Sequence, residues 1–174
     1  MRWLFLDRID EVSIGERILG VKAVGLAEDY FADHFPRFPV VPGVIVTEAL
    51  AQLSGKLIEL TVYEQRGFWP FPILSMVDKA KFRRFVKPGS VIQMQSTFIA
   101  LRDESAQMRV QAVVDGLKTT TAELTFVFDP KGIPPDAAGG DIEVIERDFL
   151  RQIWPGYGDF LSASRKTLPE AGNG

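Results

Sequence analysis

Cysteine is absent from this sequence of 174 residues, and histidine occurs once. The first absence excludes a disulfide framework, a thiolate nucleophile and any cysteine-ligated zinc site. The second excludes a multi-histidine metal cluster, so no metal is expected. A surplus of positive charge is missing too. Lys+Arg 20 against Asp+Glu 23 leave a net charge of −3, which does not favour nucleic acid. No run approaches the ~18 apolar residues of a membrane span. The apolar patch Trp3–Leu6 falls short of the ~7–15 residues of a signal-peptide core. The expectation is a cytoplasmic protein with no membrane span. What is present, 46% hydrophobic, 25% charged and 11% aromatic residues, suits one globular domain with a real core.

Residues Ile14 to Gly25 mix glycine with Ile, Leu and Val, as a strand can, and Glu28–Asp33 reads as a polar, aromatic turn. Prolines at 36, 39 and 42 fix φ and disfavour helical geometry in the residue before each, so His34–Gly43 must be an extended loop. A long helix is predicted directly after it, from Val44 to about Gln65. Val46, Leu50, Leu53, Leu57 and Leu60 form one stripe along it. The other face of its first half (Ile45, Ala49, Ala51, Ser54, Gly55) is nearly as apolar or small, which predicts burial all round. Charges return at Lys56, Glu59 and Glu64, so the second half is expected at the surface.

Four strands are predicted next, Ile73–Phe85, Val91–Leu101, Met108–Asp115 and Lys118–Phe128. Arg102–Ser105 and Asp115-Gly116 are short enough to be hairpin turns, so these strands pair antiparallel. The fold class is α+β, an antiparallel sheet wrapped around one central helix. Residues 1–128 form this domain, 129–141 a Pro/Gly-rich linker, and 142–174 a C-terminal helix followed by a low-order tail from Pro155.

Two side chains stand out chemically. Glu48 is the only charged residue between Val44 and Gly55, the most apolar part of the chain. An unpaired carboxylate buried there would take up a proton or find a partner. It also reads as an ordinary helix N-terminal glutamate bonded to Gln52. His34 opens the proline-stiffened loop, where a lone histidine is commonly a packing residue. Between the two, Pro42-Gly43 leaves free backbone N–H groups at the helix N-terminus, a ready oxyanion site. Base, acid and carbonyl-polarising donor together suit proton abstraction beside a carbonyl.

The run His34-Phe35-Pro36-x-x-Pro39-x-x-Pro42-Gly43-Val44-Ile45-x-x-Glu48-Ala49-Leu50-Ala51-Gln52 resembles the active-site segment of the FabZ/FabA-type 3-hydroxyacyl-[acyl-carrier-protein] dehydratases. Leu6-Asp7-Arg8-Ile9 and Val77–Arg84 with Pro88-Gly89 extend the likeness over roughly residues 4–128. The resemblance implies the hot-dog fold and a homodimer, often assembled further into a hexamer as a trimer of dimers. In the family each site takes its histidine from one subunit and its acid from the other, and the resemblance implies the same sharing here. It implies removal of water from a (3R)-3-hydroxyacyl thioester on acyl carrier protein to give the trans-2-enoyl thioester, in fatty-acid or related acyl-chain biosynthesis. The Gly43 N–H would hold the thioester carbonyl, His34 would take the C2 proton and Glu48 would protonate the departing C3 hydroxyl. In a variant, His34 makes both transfers. The Val40 carbonyl would orient the imidazole. No separate cofactor is expected, because the substrate carries its own phosphopantetheine.

Lys79, Lys81, Arg83, Arg84 and Lys87 form a basic run that reads either as a solvated edge strand or as a docking patch for acidic acyl carrier protein. Phe68, Trp69 and Phe71 lie in an aromatic loop that caps the core or lines the acyl tunnel. Three features depart from the family pattern: Arg37 where glycine is usual, about Ile73 where many members have a tunnel tyrosine, and the extension after Phe128. The competing readings are a hot-dog acyl thioesterase and a non-catalytic acyl-binding subunit.

Overall fold

The computed structural model describes residues 3–129 and 142–164. Strands β1 (Arg8–Ser13) and β2 (Arg17–Ala23) precede a 3-10 turn at Asp29–Ala32 and the long helix α1 (Gly43–Arg66). Strands β3 (Ile73–Phe82), β4 (Val91–Leu101), β5 (Ser105–Val114) and β6 (Leu117–Val127) follow, then helices α2 (Ile142–Ile153) and α3 (Tyr157–Ser164). The six strands make one antiparallel sheet in the order β1-β2-β4-β5-β6-β3, so β3 lies at an edge. Alternate residues of β4, β5 and β6 turn inward onto α1: Met94, Met108, Val110, Leu124 and Phe126 are all buried.

Helix α1 starts where the proline loop ends and stops at Gly67, whose φ of +74° favours a residue without Cβ. Ser54 and Ser96 meet deep in the core at 2.7 Å, and Ser54 also donates to the Leu50 carbonyl, so the buried hydroxyls are satisfied. The β5–β6 turn places Asp115 and Gly116 at φ +51° and +75°, the geometry an Asp-Gly hairpin turn requires.

Three local expectations change. β1 was not foreseen, because only Ile9 along it is fully buried and a bulge between Ile9 and Glu11 breaks the alternation. The second half of α1 does not surface where its charges return. Lys56 and Glu59 are 8% and 4% exposed, because α2 covers them; exposure begins only near Glu64. Pro155 begins no featureless tail, since α3 follows with Tyr157 buried and its ring against Trp154. Leu150, Ile153, Trp154 and Tyr157 belong to the same core cluster as α1 and the sheet. The 129–141 linker falls, beyond Asp129, outside the described residues.

Candidate active site

The loop carrying His34 is folded back on itself by its own backbone. The His34 N–H bonds to Tyr30 O at 2.9 Å, and Val40 N–H returns to His34 O at 3.1 Å. Between them Phe38 N–H closes a turn onto Phe35 O at 2.9 Å, with Pro36 and Arg37 at its centre. Arg37 is exposed and is not among the positive-φ residues, so arginine fits the turn without strain. Val41 N–H bonds to Val86 O at 2.8 Å, tying the loop to the segment before β4.

This brings His34 Nδ1 to 3.0 Å from the Val40 carbonyl oxygen, while the ring stacks on Phe35 at 4.3 Å. A carbonyl only accepts, so the bond assigns the proton to Nδ1. In the neutral ring Nε2 then keeps its lone pair. Three residues after Val40, Gly43 opens α1. Among the described residues neither its N–H nor that of Val44 has an acceptor, whereas those of Ile45 and Val46 both reach Pro42 O. A Cβ at Gly43 would sit 2.8 Å from the Phe82 ring, so glycine here lets the end of β3 close over the helix N-terminus.

Glu48 faces a cavity instead of the core. Its Oε1 accepts from Trp3 Nε1 at 3.1 Å and from Gln52 Nε2 at 2.9 Å. Gln52 in turn accepts Phe5 N–H at 2.8 Å, which fixes the N-terminal segment along the helix. The i,i+4 bond to Gln52 is therefore present, and the carboxyl is half-buried and hydrogen-bonded, not sunk among apolar groups as the sequence suggested. The cavity beside it has a volume of about 490 Å³. Its floor is the face of α1 carrying Glu48, Ala51, Gln52, Gly55 and Glu59, and Phe71 from the aromatic loop lines it. Trp69, by contrast, is buried in the core. His34 does not line this cavity, so one chain does not bring the histidine and the carboxyl together there.

At the far end of the same cavity lies a cluster that sequence reasoning missed. The Lys56 ammonium bonds to both oxygens of Glu59, at 3.2 and 3.0 Å, and to Glu146 Oε2 from α2. Burial pushes the Glu59 carboxyl up to about 8, outweighing the pull of Lys56. Lys56 is raised despite its own desolvation, because two carboxyls surround it. We read the triad as one buried ammonium shared by two carboxyls, of which Glu59, the more deeply buried, holds its proton more strongly.

The basic run divides in two. Lys79, Lys81 and Arg83 face a shallow outer depression together with Arg109 and Lys118, cations contributed by β5 and β6 that the linear run did not reveal. Glu123 inside it bonds Lys79 at 2.8 Å and lies 3.5 Å from Arg109, which holds its carboxyl below the usual range. Lys87 instead sits over the Phe38 ring of the His34 loop at 5.1 Å, and Arg84, three residues before it, is exposed.

The FabA-like domain family model matches residues 1–123. The 3-hydroxyacyl-[acyl-carrier-protein] dehydratase FabZ of Lactobacillus helveticus is 40% identical over 129 residues, 74% of this chain and 85% of that protein. The Oenococcus oeni enzyme of the same name is 41% identical over 125 residues, 72% and 88% of the two chains. Among solved structures, the dehydratase heterocomplex ApeI:P from Xenorhabdus doucetiae superposes with a TM-score of 0.61 at 15% identity, over 73% of this chain and 84% of that one. A hypothetical thioesterase with coenzyme A from Streptococcus pneumoniae gives 0.54 at 12%, over 70% and 84%. At such identities the structural likeness speaks for the hot-dog architecture alone, which dehydratases and thioesterases share. The sequence relatives separate the two.

Proposed function

Because the chain belongs to the FabA-like family, whose curated relatives are 3-hydroxyacyl-[acyl-carrier-protein] dehydratases, we propose that its reaction runs between His34 of one subunit and Glu48 of the other. The protein is a 3-hydroxyacyl-[acyl-carrier-protein] dehydratase, a hydro-lyase of fatty-acid biosynthesis acting on a carrier-borne thioester. In our reading the thioester carbonyl accepts the free Gly43 N–H. His34 Nε2 takes the C2 proton, the C2–C3 double bond forms as the C3–O bond breaks, and Glu48 gives the departing hydroxyl its proton. Water leaves, and His34 returns a proton to Glu48 before the next turnover.

The observation that carries this reading is the bond between His34 Nδ1 and Val40 O, 3.0 Å long. It leaves the imidazole edge that would act as base unencumbered, and its acceptor Val40 lies three residues before the open helix N-terminus at Gly43. The edge strand supports the subunit arrangement. β3 exposes Ile73, Met76, Val77 and Phe82, and an apolar edge of this length invites pairing. A second copy joined along β3 would make a homodimer with one continuous sheet, able to associate further into a trimer of dimers. No dissociable cofactor enters the scheme, since the phosphopantetheine arrives with the substrate. A protein-borne substrate would keep the reaction in the cytoplasm, and no helix among the described residues is long and apolar enough to cross a membrane.

The test is hydration of a short trans-2-enoyl thioester by wild type, His34→Ala and Glu48→Gln. Loss of a general acid or base costs about 10²–10⁴ in rate. A His34→Ala enzyme keeping most of its activity would remove the assignment. Release of free thiol in place of hydration would favour the thioesterase.

A further inference from the structure

The family match ends at residue 123, yet α2 and Glu146, beyond it, form part of the cavity that begins at Glu48. That cavity follows one face of α1. Glu48, Gln52, Gly55 and Glu59 follow at steps of four, three and four, with Ala51 beside Gln52, and so lie along one face. Gly55 lies between the two ends of that face. A Cβ there would meet nothing closer than Glu59 Oε1 at 4.0 Å, so the bare glycine leaves open space between the acid and the triad. Beyond Gly55 the character of the wall changes. Lys56, Glu59 and Glu146 close the far end with groups already satisfied by one another, while Phe149 of α2 covers Lys56 with its ring 5.5 Å from the ammonium. An apolar chain end reaching this point would have to desolvate a buried ion pair without replacing any hydrogen bond.

We propose that the C-terminal helix α2 acts as the end-stop of the acyl channel: Lys56, Glu59 and Glu146 set the longest chain accepted, and Gly55 keeps the channel open up to them. The inference rests on the active-site reading above, since it takes Glu48 as the point from which the chain is measured. Along α1 the distance from Glu48 to Lys56 is about 12 Å at ~1.5 Å per residue. An extended chain advances about 1.2 Å per bond, so roughly ten bonds beyond the reacting carbons fill the channel. The enzyme is thereby selective for short and medium acyl chains, and longer ones are excluded where Glu146 and Phe149 of the extension close over Lys56 and Glu59 of the shared domain.

Two measurements on the full chain test this. In calorimetric titration with saturated acyl-pantetheines, which cannot react, each added methylene should tighten binding about fourfold until the channel is full. Affinity should then fall. Gly55→Leu should move the break to shorter chains, lowering the long-to-short ratio of kcat/KM at least tenfold. The double variant Glu146→Ala/Phe149→Ala should move it the other way. Circular dichroism and melting confirm that each variant is folded. A wild-type series without a break, or folded variants of both kinds with the wild-type profile, would overturn the end-stop. An enzyme that hydrates no thioester but still shows the break in binding would leave the end-stop standing and remove the catalytic reading instead.

Discussion

A carboxyl deprived of water keeps its proton, and Glu59 is the most deeply buried acid beside α2. Its folded value of about 8 lies above the ordinary 4.5, with burial the largest cause. Between those values the unfolded chain releases a proton that the folded chain holds. Stability therefore falls as pH rises from about 4.5 to 8, with a slope of order 1.4 kcal/mol per pH unit for one full proton. Lys56 and Glu146, the charged groups facing it, pair with each other across this range. Glu59→Gln keeps the shape and removes the titration. Melting curves from pH 5 to 9 should show the wild type losing stability relative to Glu59→Gln toward pH 8; parallel curves would mean Glu59 is already ionised in the folded protein. The reason this triad was invisible in the sequence is separation. Glu146 lies 90 positions from Lys56, and Trp3 lies 45 from Glu48. His34, Gly43 and Glu48 could be singled out because one stiff loop and the first turns of one helix hold them all, whereas Val40 entered through the family resemblance.

At the scale of elements, local patterning carried the long helix and the last three strands to within a few residues, because each buries one regular face against a neighbour. It failed where a distant element decides burial. Lys56 and Glu59 look like solvent-facing helix residues until α2 is laid over them, and Arg109 and Lys118 join the basic surface only once β5 and β6 lie beside β3. That surface yields a prediction for carrier docking. Lys81 and Arg83 are exposed on the same depression, so Lys81→Glu/Arg83→Glu reverses charge where an acidic partner would approach. KM for a carrier-protein substrate should rise at least tenfold more than KM for the same acyl group on pantetheine. The salt dependence of the carrier-protein reaction should flatten as well, because screening acts on exposed charges over about 10 Å at 0.1 M. Equal effects on both substrates would show that the basic strand serves the sheet and not the carrier.

For the whole molecule, the decisive question is whether two chains complete one site. In a single chain Glu48 opens onto a cavity that His34 does not line, while Phe82 and its exposed apolar neighbours on β3 wait at the sheet edge beside the helix N-terminus. If the copies join there, a mixed dimer of His34→Ala with Glu48→Gln contains one doubly defective site and one intact site, since the intact histidine of one chain meets the intact acid of the other. Neither parent homodimer has an intact site. Unfolding and refolding the two inactive proteins together should therefore restore roughly half the wild-type rate per mixed dimer. Random pairing makes about half the dimers mixed, so the whole sample should recover on the order of a quarter. A site closed within one chain gives a different result, because every protomer in the mixture still carries a lesion of its own. No activity returns in that case. The same samples on a sizing column distinguish this from a failure to assemble, since only a dimer that forms and stays inactive counts against the shared site.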